Sequence, residues 1–220
     1  LNIMLSDFLY SLRDTEFLFN LFGYISFRSG LSLVTSFFIV LILMPHWIRI
    51  QQSIFPRGQP IRNDGPDTHY HKKGTPTLGG VLILFSIILS SILWTSNFSS
   101  FNYILILTLI LFGFIGFIDD LKKVKLGKGI SSKTKFIYQL LATLIIYLTI
   151  KYNGFDLNKF SIPFLKDVSV EIGYFYFILI LLIVIGSTNA TNLTDGLDGL
   201  VSMPLIFVFL TFAIFAYVLG

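Results

Sequence analysis

Six long runs of apolar residues constrain the fold of this chain more than any other feature of its sequence. The 16 basic and 12 acidic residues all lie between these runs or at their edges. A helix needs about 20 residues to cross about 30 Å of hydrocarbon, and lipid favours helices because they satisfy their own backbone groups. The sequence therefore predicts an all-α, polytopic membrane protein with about six transmembrane helices, at residues 30–48, 78–96, 101–118, 136–150, 172–188 and 200–219.

The composition supports a membrane protein and excludes several kinds of site. Only 13% of the residues are charged, whereas soluble domains carry roughly 25%. The absence of cysteine excludes disulfides and thiolate metal sites. The net charge of +4 is small and scattered along the chain, so no nucleic-acid partner is expected.

Basic residues cluster in two of the connections between the apolar runs. Residues 49–77 carry five basic and two acidic residues, and residues 119–135 carry six and two. The positive-inside rule places both segments in the cytoplasm and the amino terminus outside. Counting spans places residues 189–199 on the same side. We therefore expect the three segments to form one site, and we expect residues 1–220 to form a single membrane domain.

The segment 153–171 differs from the other connections because it combines turn residues with alternating polarity. Gly154 and Pro163 favour turns. The alternation from Val168 to Ile172 is typical of a short strand. We therefore expect a small extracytoplasmic β-hairpin here.

The first polar segment that can carry chemistry runs from Lys72 to Gly80, where the second span begins. Its two lysines can meet phosphate oxygens as point charges. Thr75, Thr77 and the glycines can offer hydroxyl and backbone donors. The alternative interpretation is a basic loop that touches anionic lipid and opens a helix.

The second segment is the adjacent pair Asp119-Asp120, directly after an apolar run. Neighbouring helical residues point about 100° apart, so one carboxylate can bind Mg²⁺ while the other acts on a phosphate. Mg²⁺ prefers one or two carboxylates, completed by phosphates and water. The alternative is a solvated helix end followed by lysines.

The third segment, residues 189–200, concentrates carboxamides and carboxylates between two uncharged runs. Asn192, Asp195 and Asp198 recur at every third residue, which makes a polar stripe on a helix, and the glycines beside them keep the surface low. A carboxylate here can accept the imide N–H of a uracil ring, and Asn192 can coordinate a metal or hold a phosphate. The alternative is a loop whose aspartate caps the next helix.

Together, three motifs resemble those of the phospho-N-acetylmuramoyl-pentapeptide transferase family, within the polyprenyl-phosphate N-acetylhexosamine-1-phosphate transferase superfamily. They are Gly-Thr-Pro-Thr-Leu-Gly-Gly at 74–80, Asp-Asp-Leu-Lys-Lys-Val at 119–124 and Asn-Leu-Thr-Asp-Gly-Leu-Asp-Gly-Leu at 192–200. The resemblance covers essentially all 220 residues, and it includes Phe27–Ser29 and Lys128–Ser131 with Lys133 and Lys135.

The resemblance implies a reaction and a place for it. Phospho-N-acetylmuramoyl-pentapeptide passes from its UDP donor to undecaprenyl phosphate with Mg²⁺ as cofactor, which gives UMP and the first lipid intermediate of peptidoglycan. The expected setting is the lipid bilayer of the bacterial cytoplasmic membrane, with the active face in the cytoplasm. Whether the protein forms a homodimer is left open.

The resemblance also implies roles for particular residues, position by position. Asp119 and Asp120 match the family's paired catalytic carboxylates, which activate the lipid phosphate and organise the metal site. Asp119 and Asn192 are then the expected metal ligands. The positions matched to substrate binding are Lys72, Thr77, Lys135, Asn192, Asp195, Gly196, Leu197 and Asp198.

The sequence also departs from the family pattern. Members of the family have about ten spans, a later aspartate that ligates the metal, and a histidine-rich motif. Here no carboxylate follows Asp198 and no histidine follows His71. We therefore expect an incomplete Mg²⁺ site and no transferase activity from the 220-residue chain alone.

Three other functions stay open at the level of the sequence. One is transfer of N-acetylglucosamine-1-phosphate by a member of the same superfamily, and another is an inactive truncated remnant. A membrane transporter is the alternative from a different class, because polar residues in membrane segments often line an ion pathway. Here the polar residues gather at one predicted membrane face, which favours interfacial chemistry over transport.

Overall fold

The apolar runs of the sequence are helices in the protein. The computed structural model describes residues 4–56, 58, 76–162, 165, 168–195 and 199–219. Its helices are α1 Leu5–Ser11, α2 Ile25–Ile54, α3 Gly79–Trp94, α4 Ser100–Leu126, α5 Ser132–Tyr152, α6 Phe175–Thr194 and α7 Ser202–Leu219, with 3₁₀ turns at Leu12–Asp14 and Phe17–Gly23. In these residues, five helices are long and apolar enough to cross a membrane, namely α2, α4, α5, α6 and α7.

The all-α, polytopic architecture predicted from the sequence is confirmed. Each of the six apolar runs contains one helix, although α3 has only 16 residues. The boundary of the third run was predicted too early, because α4 continues past Ile118 to Leu126. Ion pairs between residues three and four positions apart stabilise such a helical extension, and those of Lys123 are described below.

The chain divides into two compact units, Leu1–Ala142 and Thr143–Gly220, and α5 contributes residues to both. The first unit is built on α2 packed against α3 and α3 packed against α4. Trp47 and Trp94 each form a hydrogen bond that joins α2 to α3 or to the residue before it. The indole Nε1 of Trp47 donates to the carbonyl of Leu78 at 3.2 Å, and that of Trp94 donates to the hydroxyl of Thr35 at 3.0 Å.

Small residues occupy closely packed positions in the helices of the first unit. Ser86 and Ser90 are buried on α3, and each hydroxyl donates to a carbonyl of its own helix. Gly113 of α4 lies against Leu84 of α3, so that a Cβ at this glycine would collide with the leucine side chain. Small residues at such positions are typical of helix packing in membranes.

The second unit contains the hairpin predicted for residues 153–171. Strand β1, Lys159–Ser161, pairs antiparallel with β2, Ser169–Glu171. Phe160 lies opposite Val170 in the register. The hairpin prediction is therefore confirmed.

Candidate functional site

The adjacent carboxylates Asp119 and Asp120 lie in the last two turns of α4. The helix ends at Leu126, and Gly127 follows with a left-handed φ of 73°. Glycine adopts this conformation at no steric cost, so it is the usual residue after a helix that stops abruptly. The reversal at Gly127 returns the chain toward the carboxylates.

Lys123 forms ion pairs with both carboxylates. Its Nζ lies 2.7 Å from Oδ2 of Asp119 and 3.0 Å from Oδ1 of Asp120. The lysine follows the two aspartates by four and three positions, the spacings at which helical side chains meet. Because one ammonium group offsets two carboxylates, the cluster of these three residues keeps a single net negative charge.

The loop after α4 supplies the second contact to Asp119. The backbone N–H of Ile130 donates to Oδ1 of Asp119 at 2.9 Å. Gly129 makes the approach possible, because a Cβ at this position would collide with Oδ1 and lie 3.2 Å from Cε of Lys123. The side chain of Asp119 is consequently 12% exposed, against 35% for Asp120.

The same loop opens α5 and places Lys135 in its first turn. The hydroxyl of Ser131 accepts the backbone N–H of Thr134 at 3.2 Å, which is the bonding of a helix N-cap. Lys133 and Lys135 follow at the start of this helix. Cations are disfavoured at a helix N-terminus by the helix dipole. The placement of two lysines there is consistent with binding of an anion.

In the second unit, the end of α6 carries the predicted residues Asn192 and Asp195. Asn192 lies in the last turn, and Asp195 is the first residue after it. Both side chains are exposed. Within the part of the chain that the structure describes, no side-chain hydrogen bond is found for either residue, so both can meet a ligand.

Other polar side chains near the end of α6 are bonded to their own helix. The hydroxyl of Thr188 donates to the carbonyl of Val184 at 2.7 Å, and the amide of Asn189 donates to the carbonyl of Ile185 at 2.9 Å. Thr194 donates in the same way to Ala190, at 2.9 Å. Thr188, Asn189 and Thr194 therefore use their polar groups within the helix, whereas, in the described residues, the side chains of Asn192 and Asp195 do not.

Comparison with known proteins places the chain in a family. A model of glycosyl transferase family 4 matches residues 102–220, which is more than half of the chain. The chain belongs to glycosyl transferase family 4. The matched part includes the carboxylate pair of α4, the loop that follows it and the polar end of α6.

Three curated relatives are each called phospho-N-acetylmuramoyl-pentapeptide-transferase. The protein of Desulforapulum autotrophicum is 44% identical over 218 residues, 98% of this chain and 60% of that protein. The protein of Rickettsia prowazekii is 39% identical over 204 residues, 91% of this chain and 56% of its own length. That of Desulfotalea psychrophila is 40% identical over 220 residues, 99% of this chain and 61% of the relative.

These relatives confirm the resemblance that the three motifs indicated. The chain spans about three fifths of the length of the family members it matches. Of the predicted substrate-binding residues, Lys72, Gly196, Leu197 and Asp198 lie outside the described residues. Thr77 is half-buried just before α3. Its role and those of the other predicted site residues stay predictions.

The Mg²⁺ expected from the resemblance fits the donors at the end of α4. Among the described residues, no group of three or more His, Asp or Glu side chains could hold a metal ion by itself. The aspartate pair supplies one or two carboxylates, and Mg²⁺ readily completes its coordination with phosphate oxygens and water. Both oxygens of Asp119 are engaged by Lys123 and Ile130. The oxygen Oδ2 of Asp120 has no protein partner in the described part of the chain.

The sequence predicts no role for three residues of the cluster. Lys123 lies within the motif at 119–124, and Gly129 and Ile130 lie in the segment Lys128–Ser131 that follows it. The spacing of Lys123 from Asp119 is a recognisable signal for a helical ion pair. The contact from Ile130 has no such signal, because it depends on where the loop after Gly127 returns.

Proposed function

We propose that the protein transfers phospho-N-acetylmuramoyl-pentapeptide from its UDP donor to undecaprenyl phosphate. An oxygen of the lipid phosphate forms a bond to the β-phosphorus of the donor. The bond from that phosphorus to the bridging oxygen breaks, and UMP leaves. Two facts support this function: the names of the relatives, and the paired carboxylates at the end of a membrane-length helix.

The carboxylate cluster carries this proposal, because its position and charge suit an interfacial reaction between phosphates. Phosphoryl transfer depends mainly on positioning and on neutralising charge. Bound Mg²⁺ would neutralise the diphosphate, with the carboxylate pair at the end of α4 as its candidate ligands. Asp120 orients the lipid phosphate and takes up its proton where it carries one, with Asp119 beside it as the second carboxylate of the pair. The lysines near the start of α5 attract anionic substrate.

The polar end of α6 recognises the uridine part of the donor in this proposal. A carboxylate such as Asp195 can accept the imide N–H of uracil or a ribose hydroxyl. Asn192 offers both an acceptor and donors to the diphosphate or the metal. Lys72, Thr77, Lys135, Gly196, Leu197 and Asp198 complete the proposed contacts to the substrates.

A transfer assay tests the proposal. It uses the complete protein, encoded by the gene that contains this chain. Purified protein is incubated with undecaprenyl phosphate, Mg²⁺ and either UDP-N-acetylmuramoyl-pentapeptide or UDP-N-acetylglucosamine. We expect UMP and lipid product in equal amounts from the muramoyl donor. Product from the N-acetylglucosamine donor alone would assign the other transferase activity of the superfamily, and no product from either would overturn both.

We also propose that the ends of α4 and α6 face the cytoplasm. The charge distribution supports this orientation. Residues 1–220 contain no cysteine, so single labels can be placed at Lys125→Cys, Leu193→Cys and Tyr152→Cys once any cysteine elsewhere in the complete protein has been replaced by serine. In intact spheroplasts, a membrane-impermeant maleimide should label only Tyr152→Cys, and permeabilisation should expose the other two. Labelling of Lys125→Cys in intact spheroplasts would contradict this orientation.

A further inference from the structure

Asp119 is held from two directions. Oδ2 is paired with Nζ of Lys123 at 2.7 Å, and Oδ1 accepts the backbone N–H of Ile130 at 2.9 Å. The first contact comes from the same helix and the second from the loop that follows it. Both oxygens of this carboxylate are therefore used by the protein itself.

We propose that Lys123, Gly129 and Ile130 form a clamp on Asp119, and that Asp120 is the carboxylate left to meet substrate phosphate or Mg²⁺. We name these three residues the Asp119 clamp. The inference rests on the proposed transferase function and deepens it. Lys123 and Gly129 are positioning residues, because they act through the two carboxylates.

Gly129 distinguishes the clamp from an ordinary ion pair on a helix surface. An ion pair at four-residue spacing forms without help from a neighbouring loop. Here the loop comes so close that Oδ1 of Asp119 and Cε of Lys123 occupy the space where a side chain at position 129 would begin. The sequence thus accommodates the carboxylate with the one residue that has no Cβ.

Lys123 has a second role in the clamp. Two adjacent carboxylates repel one another, and the repulsion is larger away from bulk water. Its ammonium group contacts both carboxylates, at 2.7 Å and 3.0 Å, and offsets this repulsion. Its contact to Asp120 uses Oδ1 and leaves Oδ2 for a ligand.

The clamp can be tested with two variants and two matched controls in the complete protein. Lys123→Ala removes the shared ammonium group, and Gly129→Ala forces the loop away from Asp119. Lys125→Ala removes an exposed lysine of the same helix. Gly116→Ala adds the same methyl group where nothing lies within 4 Å.

We expect the two clamp variants to lower kcat by about 10- to 100-fold, the usual effect of removing a group that orients a catalytic ligand. The KM for the UDP donor should stay near that of the wild type, because in this proposal both residues act through the carboxylates and not on the donor. The controls should keep wild-type kcat. Lys123→Arg should restore part of the activity, since a guanidinium group can bridge two carboxylates.

A double-mutant cycle separates positioning from independent roles. If Lys123 acts through the aspartates, the losses from Lys123→Ala and Asp119→Asn will be clearly non-additive. Additive losses would overturn the clamp. Equal activities of Gly129→Ala and Gly116→Ala would overturn it as well.

Backbone amide exchange gives a readout that does not depend on activity. The amide of Ile130 should exchange slowly in the wild type and faster in Asp119→Ala, with no such change in Lys125→Ala. Fast exchange at Ile130 in the wild type would overturn the clamp whatever the activity. An inactive wild type with slow exchange at Ile130 would instead overturn the proposed function, and with it the catalytic part of this inference.

Discussion

The ends of α4 and α6 carry similar residues but prepare them in opposite ways. At the end of α4, Asp119 and Asp120 are bound by Lys123, and the loop at Ile130 encloses the first of them. At the end of α6, Asn192 and Asp195 are exposed, and in the described residues no protein group bonds to their side chains. The carboxylates at the end of α4 are held in position before a ligand binds, whereas the side chains at the end of α6 gain partners when a ligand binds.

The difference matches what each half of the proposed reaction needs. Groups that act on a transferred phosphoryl must already be aligned, because reorganisation during the reaction raises the barrier. Groups that recognise a nucleotide can be ordered by it, and the ordering then lowers affinity rather than rate. Substitutions in the two regions should therefore change different kinetic constants.

The largest effect should come from Asp120→Asn. The amide keeps the shape of the side chain but removes the negative charge proposed to meet Mg²⁺ or the lipid phosphate. We expect kcat to fall by about 10³-fold, the scale of losing one charge-stabilising group at a reaction centre. Initial rates of UMP release would measure the change. Asp14→Asn, at an exposed site of the amino-terminal segment, is the control and should leave the rate unchanged.

If Asp120→Asn kept most of its activity, the end of α4 would not be the reaction centre, and the proposed difference between α4 and α6 would be wrong.

The same assay on Asp119→Asn compares the two carboxylates. The amide can still accept the N–H of Ile130 but no longer pairs with Lys123 as an ion. We expect a loss smaller than that of Asp120→Asn.

A smaller effect, of a different kind, should follow from Asp195→Asn. Losing a charged hydrogen-bond acceptor costs about 1.5 to 3 kcal/mol, which raises the KM for the UDP donor by about 10- to 100-fold. The value of kcat should change much less, because the contact is made in the ground state and in the transition state alike. Steady-state kinetics with varied donor concentration would measure both constants.

Thr194→Val is the matched control for the end of α6. Its hydroxyl already donates to the carbonyl of Ala190, so its loss should leave the KM unchanged. A fall in kcat with unchanged KM in Asp195→Asn would erase the distinction between the two regions.

The smallest effect should be on stability alone. Gly113→Ala adds a methyl group against Leu84 where α3 and α4 meet. Overpacking of this kind costs about 1 to 3 kcal/mol, reduced here because the leucine side chain can move. Thermal unfolding in detergent should show a lower midpoint for Gly113→Ala than for Gly116→Ala. Equal midpoints would show that the α3–α4 contact does not limit the stability of the helix that carries the carboxylates.

Much of the fold could be predicted from the sequence, because a membrane span depends on the average hydrophobicity of a whole segment and not on individual residues. Uncharged runs of sufficient length predict helices, and the hairpin followed from the turn residue Gly154 and the alternation from Val168 to Ile172. The end of α4 did not follow, because Lys123 and the aspartates extend a helix beyond its apolar run. Such an extension depends on side-chain pairs rather than on average polarity.

The sequence predicts which residue types gather at the candidate site but not how they are held. The motifs predict a role for Asp119 and Asp120, but they could not show that the protein uses both oxygens of Asp119. That asymmetry arises from the path of the chain after Gly127 and from the missing Cβ of Gly129. Contacts between a helix and the loop that follows it depend on a few backbone angles, which the pattern of residue types does not specify.

Amide exchange in the complete protein, with and without the UDP donor, tests the central difference most directly. Helix ends exchange by local fraying, so exchange reports whether a region is already held. We expect the amide of Ile130 to be equally protected in both samples. The amides of residues 192–195 are bonded within α6 or at its end, and we expect their protection to rise with the donor as fraying of the helix end decreases. Unchanged protection of 192–195 on adding the donor, or protection of Ile130 only with it, would contradict the account.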